Sequence, residues 1–207
     1  MSLPPLLVLT DRRRAAAAGR SLTATVAAAV DGGARAVILR EKDLPRARRA
    51  GLAHRLRAVL APVGGVLVAA SDPTLPADGV HLAATDPPYA DPPYAGPLAG
   101  LLVGRSCHSP AELARARALR CAYATLSPVA PTSSKPGYGP ALGVQGLAAL
   151  VRGTALPVYA LGGVTAALVP GCRDAGAAGV AVMGAVMGAA DPALAVADLL
   201  AAWCAAA

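Results

Sequence analysis

Eight short apolar runs, set at intervals along 207 residues, restrict this chain more than any other feature. They are LLVLT (6–10), AVILR (36–40), GVLVAAS (65–71), GVHL (79–82), LLVGRS (101–106), YATLS (123–127), VYALGG (158–163) and GVAVMG (179–184). Most are apolar throughout rather than alternating, as expected of parallel strands buried on both faces. Between them, 21–32, 45–60, 109–119, 143–152, 165–175 and 191–203 have helical character. Ser21, Ser109 and Asp191 stand where N-caps are needed. The alternation predicts an α/β fold, a single (β/α)8 TIM barrel across residues 1–207. An open doubly wound sheet is the competing arrangement. The barrel is preferred because polar residues and glycines recur at strand ends: Thr10-Asp11, Arg40-Glu41-Lys42, Ser71-Asp72, Ser106, Ser127 and Gly162-Gly163. A closed barrel gathers those ends into one site. An open sheet would spread them along an edge, with only the switch point useful.

Composition narrows the function classes. Hydrophobic residues make up 55% and there is no Phe, so the core must be built from Ala, Val and Leu. No run of 18 or more apolar residues lacks Gly, Pro or charge, which argues against a membrane span. The first residues, MSLPPLLVLT, read as a first strand and not as a signal peptide. The net charge of +7 does not read as nucleic-acid binding, because the arginines are scattered and lack interleaved aromatics. A small anionic substrate accounts for the excess as well. Cys107, Cys121, Cys172 and Cys204 show no metal-ligand spacing and are expected to be buried reduced thiols in a cytoplasmic protein. Residues 83–97, ATDPPYADPPYAGPL, are too proline-rich for a long helix.

Several strand ends carry chemistry. Only two of the 19 basic residues are lysine, Lys42 and Lys135. Lys42 lies in REKD (40–43), where Arg40 and Lys42 could grip one polyanion; a solvated charged turn is the plainer alternative. Lys135 lies in LSPVAPTSSKPGYG (126–139), among Ser127, Thr132, Ser133 and Ser134. Asp72 and Asp86 follow strands three and four. They suit Mg²⁺ bridged to a diphosphate, or serve as turn caps before proline. The glycines of LGGV (161–164) and VMG (182–184) let backbone amides approach a phosphate, or simply make tight turns. His54 reads as a surface residue, His81 as a satisfied interior histidine, and His108 as a candidate near the site.

In order and spacing these motifs resemble the thiamine phosphate synthase and thiazole tautomerase superfamily. The anchors are LREKD (39–43), ADGVHL with Asp86 behind it, GRSCHS (104–109), SPVAPTSSKPG (127–137) and YALGGV followed by GAAGVAVMGAV. The resemblance implies a (β/α)8 barrel and a transferase that joins an aminopyrimidine methyl diphosphate to a thiazole phosphate. Diphosphate would leave first, and the thiazole nitrogen would capture the resulting cation. By the same resemblance Asp72 and Asp86 match Mg²⁺ ligands. Arg40, Lys42, Ser106 and Lys135 match diphosphate contacts. Thr132, Ser134, Gly163 and the backbone near Gly184 match the thiazole phosphate site. The chain departs from the family at Ile38, where Gln is usual, and at Ser71, where Asn is usual. The tautomerase branch, with His108 as its acid–base candidate, stays open, as does a non-catalytic phosphate-binding barrel. The partners expected are small phosphorylated substrates, with a homo-oligomer left open.

Overall fold

The computed structural model describes residues 3–87, 100–132 and 140–205. All eight apolar runs form strands: β1 (Leu6–Leu9), β2 (Ala36–Leu39), β3 (Val66–Ala70), β4 (Gly79–Leu82), β5 (Leu102–Cys107), β6 (Tyr123–Leu126), β7 (Val158–Leu161) and β8 (Gly179–Val182). Each strand pairs in parallel with the next, and β8 pairs with β1, closing the barrel in sequence order. Closure decides against the open sheet. The helices are α1 (Arg12–Ala17), α2 (Leu22–Asp31), α3 (Arg46–Leu60), α4 (Pro110–Ala118), α5 (Gly143–Val151), α6 (Val169–Asp174), α7 (Gly184–Met187) and α8 (Pro192–Cys204). Six lie where helical character was read; α1 and α7 are additions, each too short to show a helical period.

Local chemistry explains the starts. Ser21, Ser109 and Asp191 each accept a backbone N–H in the first turn of α2, α4 and α8. Asp11 does the same for α1, so this strand-end polar residue is a cap. At α4, Glu112 completes a box-like arrangement by accepting from the His108 amide at 2.5 Å.

The strands are apolar throughout because they feed two cores. Leu6, Val8, Val37, Leu39, Leu67, Ala124 and Val180 point outward, into the layer beneath the helices. Leu7, Leu9, Ala36, Ile38, Val68, Ala70, Tyr123, Tyr159 and Ala181 fill the barrel interior. With no Phe in the chain, the two tyrosines supply its aromatic bulk, edge to face at 5.6 Å. Gly104 and Gly179 make this possible, because a Cβ at either would run into the ring of Tyr123 or Tyr159.

One expectation is corrected. Cys107, Cys121 and Cys172 are buried, but Cys204 is exposed at the end of α8, where its face has turned away from the barrel. His54 is exposed on α3, as read. No helix among the described residues is long and apolar enough to cross a membrane.

Candidate active site

Because every strand runs the same way, their C-terminal ends share one rim. Arg40 and Lys42 follow β2, Asp72 follows β3, Asp86 follows β4, Ser106 lies near the end of β5, and Gly163 and Gly184 follow β7 and β8. Lys135 and Ser134 lie outside the described residues.

The REKD turn is held from the neighbouring loop. The Arg12 amide donates to Glu41 Oε1 at 3.0 Å, and its guanidinium donates to Glu41 Oε2 at 2.9 Å. The same guanidinium grips Asp43 with two bonds of 2.7 Å, and Arg13 adds a third at 2.9 Å. Hydrogen bonds from Arg12, and its charge, hold the Asp43 carboxyl well below the ordinary carboxylate range. Both acidic residues of the turn are thus occupied by Arg12. The basic pair, Arg40 and Lys42, is exposed along a pocket of about 280 Å³ that Thr10 also lines. Thr10 fixes the base of this arrangement by accepting from the Arg40 amide at 2.9 Å. The turn exposes Arg40, Lys42 and Asp43 but buries Glu41, and Arg12 clamps it in place.

Across the rim, β3 and β4 are joined through their polar ends. Ser71 has φ 57° and donates to Asp86 Oδ2 at 2.5 Å, and the Ala83 amide donates to the same oxygen at 2.7 Å. Burial opposes ionisation of Asp86, but these two bonds, Lys42 and Arg105 outweigh it and lower its pKa. The buried Arg105 secures the loop from below, donating to the Ala84 carbonyl at 3.0 Å and the Asp86 carbonyl at 2.5 Å. Asp72 makes the turn its sequence suggested, accepting from Thr74 N at 3.0 Å and Thr74 Oγ1 at 2.6 Å through Oδ1. Its Oδ2 faces Arg49 at 3.7 Å and Arg46 at 3.9 Å.

Asp72 and Asp86 each keep one carboxylate oxygen outside these hydrogen bonds, that of Asp72 facing Arg46 and Arg49. Two such oxygens are a donor set that fits Mg²⁺ shared with a diphosphate, since Mg²⁺ takes few carboxylates and keeps other oxygen ligands. Among the described residues no group of three or more His, Cys, Asp or Glu is placed to cage a metal.

The β6 end and the β7 turn form one unit. The Val129 and Ala130 amides donate to Leu161 and Gly162 carbonyls at 2.9 Å, extending the ladder beyond the strands. The chain returns to the same place, with Leu142 and Gly143 amides donating to Pro128 and Val129 carbonyls at 2.9 Å. Gly163, at φ 66°, packs so tightly that a Cβ would lie 2.7 Å from the Ala130 carbonyl oxygen. Thr132, half-buried, follows this contact directly. At β8, a Cβ on Gly184 would come 3.3 Å from the Arg14 guanidinium, so a cation stands over that backbone. His108 Nδ1 donates to the Ser127 carbonyl at 2.8 Å, which ties its ring to the β6 end.

Arg12, Arg14 and Arg105 stand among the candidate site residues and were not singled out in the sequence. One signal was present: two acids at 41 and 43 beside two bases call for a cation on an adjacent strand end. Arg105 gave no such signal, because a charged residue in a buried strand reads the same whether it anchors a loop or caps an edge.

Known proteins share this chain's sequence pattern and fold. A family model described as thiamine monophosphate synthase matches residues 6–186. A thiamine-phosphate synthase of Roseiflexus sp. (strain RS-1) is 36% identical over 190 residues, 89% of this chain and 79% of its own length. One from Methanoculleus marisnigri is 37% identical over 190 residues, covering 90% and 89%. The solved thiamine phosphate pyrophosphorylase from Pyrococcus furiosus superposes with a TM-score of 0.83 at 28% identity, covering 95% of this chain and 94% of that one.

Proposed function

Since the chain belongs to the thiamine monophosphate synthase family, we propose that this enzyme joins an aminopyrimidine methyl diphosphate to a thiazole phosphate at the barrel rim. The bond between the pyrimidine methylene carbon and the diphosphate oxygen breaks, and the oxygen keeps the electron pair. The thiazole nitrogen then donates its lone pair to the methylene carbon, and diphosphate is released.

Charge placement carries this reading. Arg40 and Lys42 both line the rim pocket, in a turn whose acids Glu41 and Asp43 are held by Arg12. A cationic pair with fixed backbone is suited to an anion whose charge grows as it departs. Arg40 supplies a planar fork and Lys42 a compact charge. Asp72 and Asp86 would hold Mg²⁺, which supplies further positive charge for the diphosphate oxygens. Ser106 would donate its hydroxyl proton to a substrate oxygen. Lys135 would bring a second ammonium to the departing group. Thr132, Ser134 and the backbone at Gly163 and Gly184 would bind the thiazole phosphate, with Arg14 beside Gly184 adding charge there.

The test is incubation with both substrates and Mg²⁺, with thiamine phosphate read by mass. Product that fails to form when chelator is added and returns with Mg²⁺ is the expected result. Binding of both ligands with no diphosphate release would make the chain a binder. Interconversion of thiazole carboxylate isomers that survives chelator and fails in His108→Asn would instead favour the tautomerase chemistry.

A further inference from the structure

Three groups stand in line beneath the rim, and only the uppermost, Ser106, has a part in the proposed reaction. In the strand register His81 faces Gly104, and Gly104 faces Tyr123, so these share one level of the barrel. Ser106 and Thr125 face each other two residues on, one level nearer the mouth. The Tyr123 hydroxyl lies 3.0 Å from His81 Nδ1. His81 Nε2 lies 2.9 Å from Ser106 Oγ and 3.4 Å from Thr125 Oγ1. Tyr123 is buried, His81 nearly so, and Ser106 is half-buried at the mouth. The ring of Tyr123 reaches His81 only because position 104 carries no side chain.

Donor counting gives the line a direction. A buried phenol needs an acceptor for its proton. Among the described residues Tyr123 has one hydrogen-bond partner, His81 Nδ1. Burial raises the Tyr123 pKa, so the phenol keeps its proton. Burial, then the charge of Lys42, pushes His81 down to about 3, so its ring is neutral and carries a single N–H. If the phenol donates to Nδ1, the ring's own single proton is on Nε2, which donates to Ser106 Oγ. An oxygen that accepts from below keeps its own hydrogen for an acceptor above. In the opposite tautomer Nδ1–H would donate to the phenol oxygen, leaving the buried phenol proton without an acceptor among the described residues, and Nε2 would accept the Ser106 proton and turn it into the barrel.

The geometry points to Tyr123 and His81 as positioning residues that aim the Ser106 hydroxyl proton out of the barrel, towards an anionic oxygen of the diphosphate substrate. Neither touches substrate, and no proton is transferred along the line. The inference rests on the proposed reading of Ser106 as a diphosphate contact.

The first test does not depend on activity. Nitrogen-15 imidazole spectra of the whole protein, with His81 assigned by loss of its signal in His81→Gln, are expected to show the Nε2–H tautomer. An Nδ1–H tautomer would overturn the inference even if every substrate result held. The second test uses Tyr123→Phe, which removes one oxygen and keeps the ring. It is expected to shift the His81 tautomer and to lower kcat about tenfold, with KM for the thiazole phosphate unchanged. Ser106→Ala is expected to lose at least as much. The double variant Tyr123→Phe/Ser106→Ala is expected to be no worse than Ser106→Ala alone. Losses that multiply in the double variant would mean that Tyr123 acts elsewhere, and the inference falls. If Ser106→Ala alone keeps wild-type turnover, the role of Ser106 falls and the aim of its proton loses its purpose, whatever the tautomer. Melting curves for each variant separate these losses from unfolding.

Discussion

The lining of the barrel differs from one side to the other. Around β1 to β3 and at β8 the inward side chains are apolar: Leu7, Leu9, Ala36, Ile38, Val68, Ala70 and Ala181. Around β4 to β6 they are His81, Ser106, Tyr123 and Thr125, connected by hydrogen bonds. The apolar side makes no directional demands, since dispersion and burial are satisfied by volume and shape. The polar side must have each donor matched to an acceptor, because an unmatched group in a dry interior costs about 1–3 kcal/mol. Stability therefore comes at little constraint from one side. The other side accepts constraint and yields a defined orientation beneath the rim that holds Ser71 and Asp86.

The largest effect that would break this division is expected above the polar side. Asp86→Asn keeps the shape and an acceptor for Ser71 but removes the charge. Turnover is expected to fall by roughly 10²–10³ while the melting temperature changes little. Rates within twofold of wild type across a Mg²⁺ titration would remove Asp86 from the metal and leave it a loop anchor.

On the apolar side the expected effect has the reverse character. Leu7 is fully buried in the interior. Leu7→Ala is expected to cost about 2–5 kcal/mol of stability and leave kcat of the folded fraction near wild type. Urea unfolding and active-site-normalised kinetics measure the two separately. A large loss of kcat at low temperature, where the variant is fully folded, would show that the two sides are not independent.

Acid should also tell the sides apart. His81 has its pKa lowered from 6.5 to about 3 in the fold, chiefly by burial and then by Lys42. As pH falls below 6.5 the unfolded chain takes up a proton at this residue while the folded chain does not. The stability contribution is present above that value and is lost down to about 3. Each extra proton bound by the unfolded state changes stability by about 1.4 kcal/mol per pH unit. Between pH 6 and 5 the wild type is expected to lose stability more steeply than His81→Gln, by up to that amount. Parallel slopes would mean that His81 is not held neutral.

Much of this arrangement could be read in the sequence, and what could not has a common cause. Eight strands were legible because both cores need apolar residues, so each run is long enough to stand out. His81 was legible as a satisfied interior residue, but its partners were not. They depend on the register of β4, β5 and β6, which brings residues 42 positions apart within 3.0 Å. The Arg12 clamp spans 29 positions to Glu41 and was hidden for the same reason. Gly104 and Gly179 look like any strand glycine until the rings they accommodate are in place. Ser71 stands where Asn is usual, and its φ of 57° shows why Asn would suit the position, since Asn tolerates the left-handed region better than most residues. Ile38, where Gln is usual, belongs to the buried apolar lining, so an alkyl group stands where an amide was expected.

The smallest expected effect is the sharpest test of what the polar side is for. Thr125 is fully buried, and its hydroxyl lies 3.4 Å from His81 Nε2. That is long for a hydrogen bond, and Ser106 holds the same ring nitrogen at 2.9 Å. If polarity in general mattered here, any hydroxyl removed from β4 to β6 would reduce turnover. If only the directed line from Tyr123 through His81 to Ser106 matters, Thr125 is a bystander. Thr125→Val keeps the branched shape and drops a weakly bonded polar group from a dry interior. Stability is expected to change by less than about 1 kcal/mol in either direction, because the lost bond is poor and the desolvation it offset is relieved. Turnover is expected to stay within twofold, in contrast to the about tenfold loss expected in Tyr123→Phe. The two variants should be compared at one temperature, with unfolding midpoints alongside. A tenfold loss in Thr125→Val would make Thr125 part of the support for Ser106 and replace a directed line with a cluster. A silent Thr125→Val beside an impaired Tyr123→Phe would show that direction, and not polarity alone, is what β4 to β6 provide.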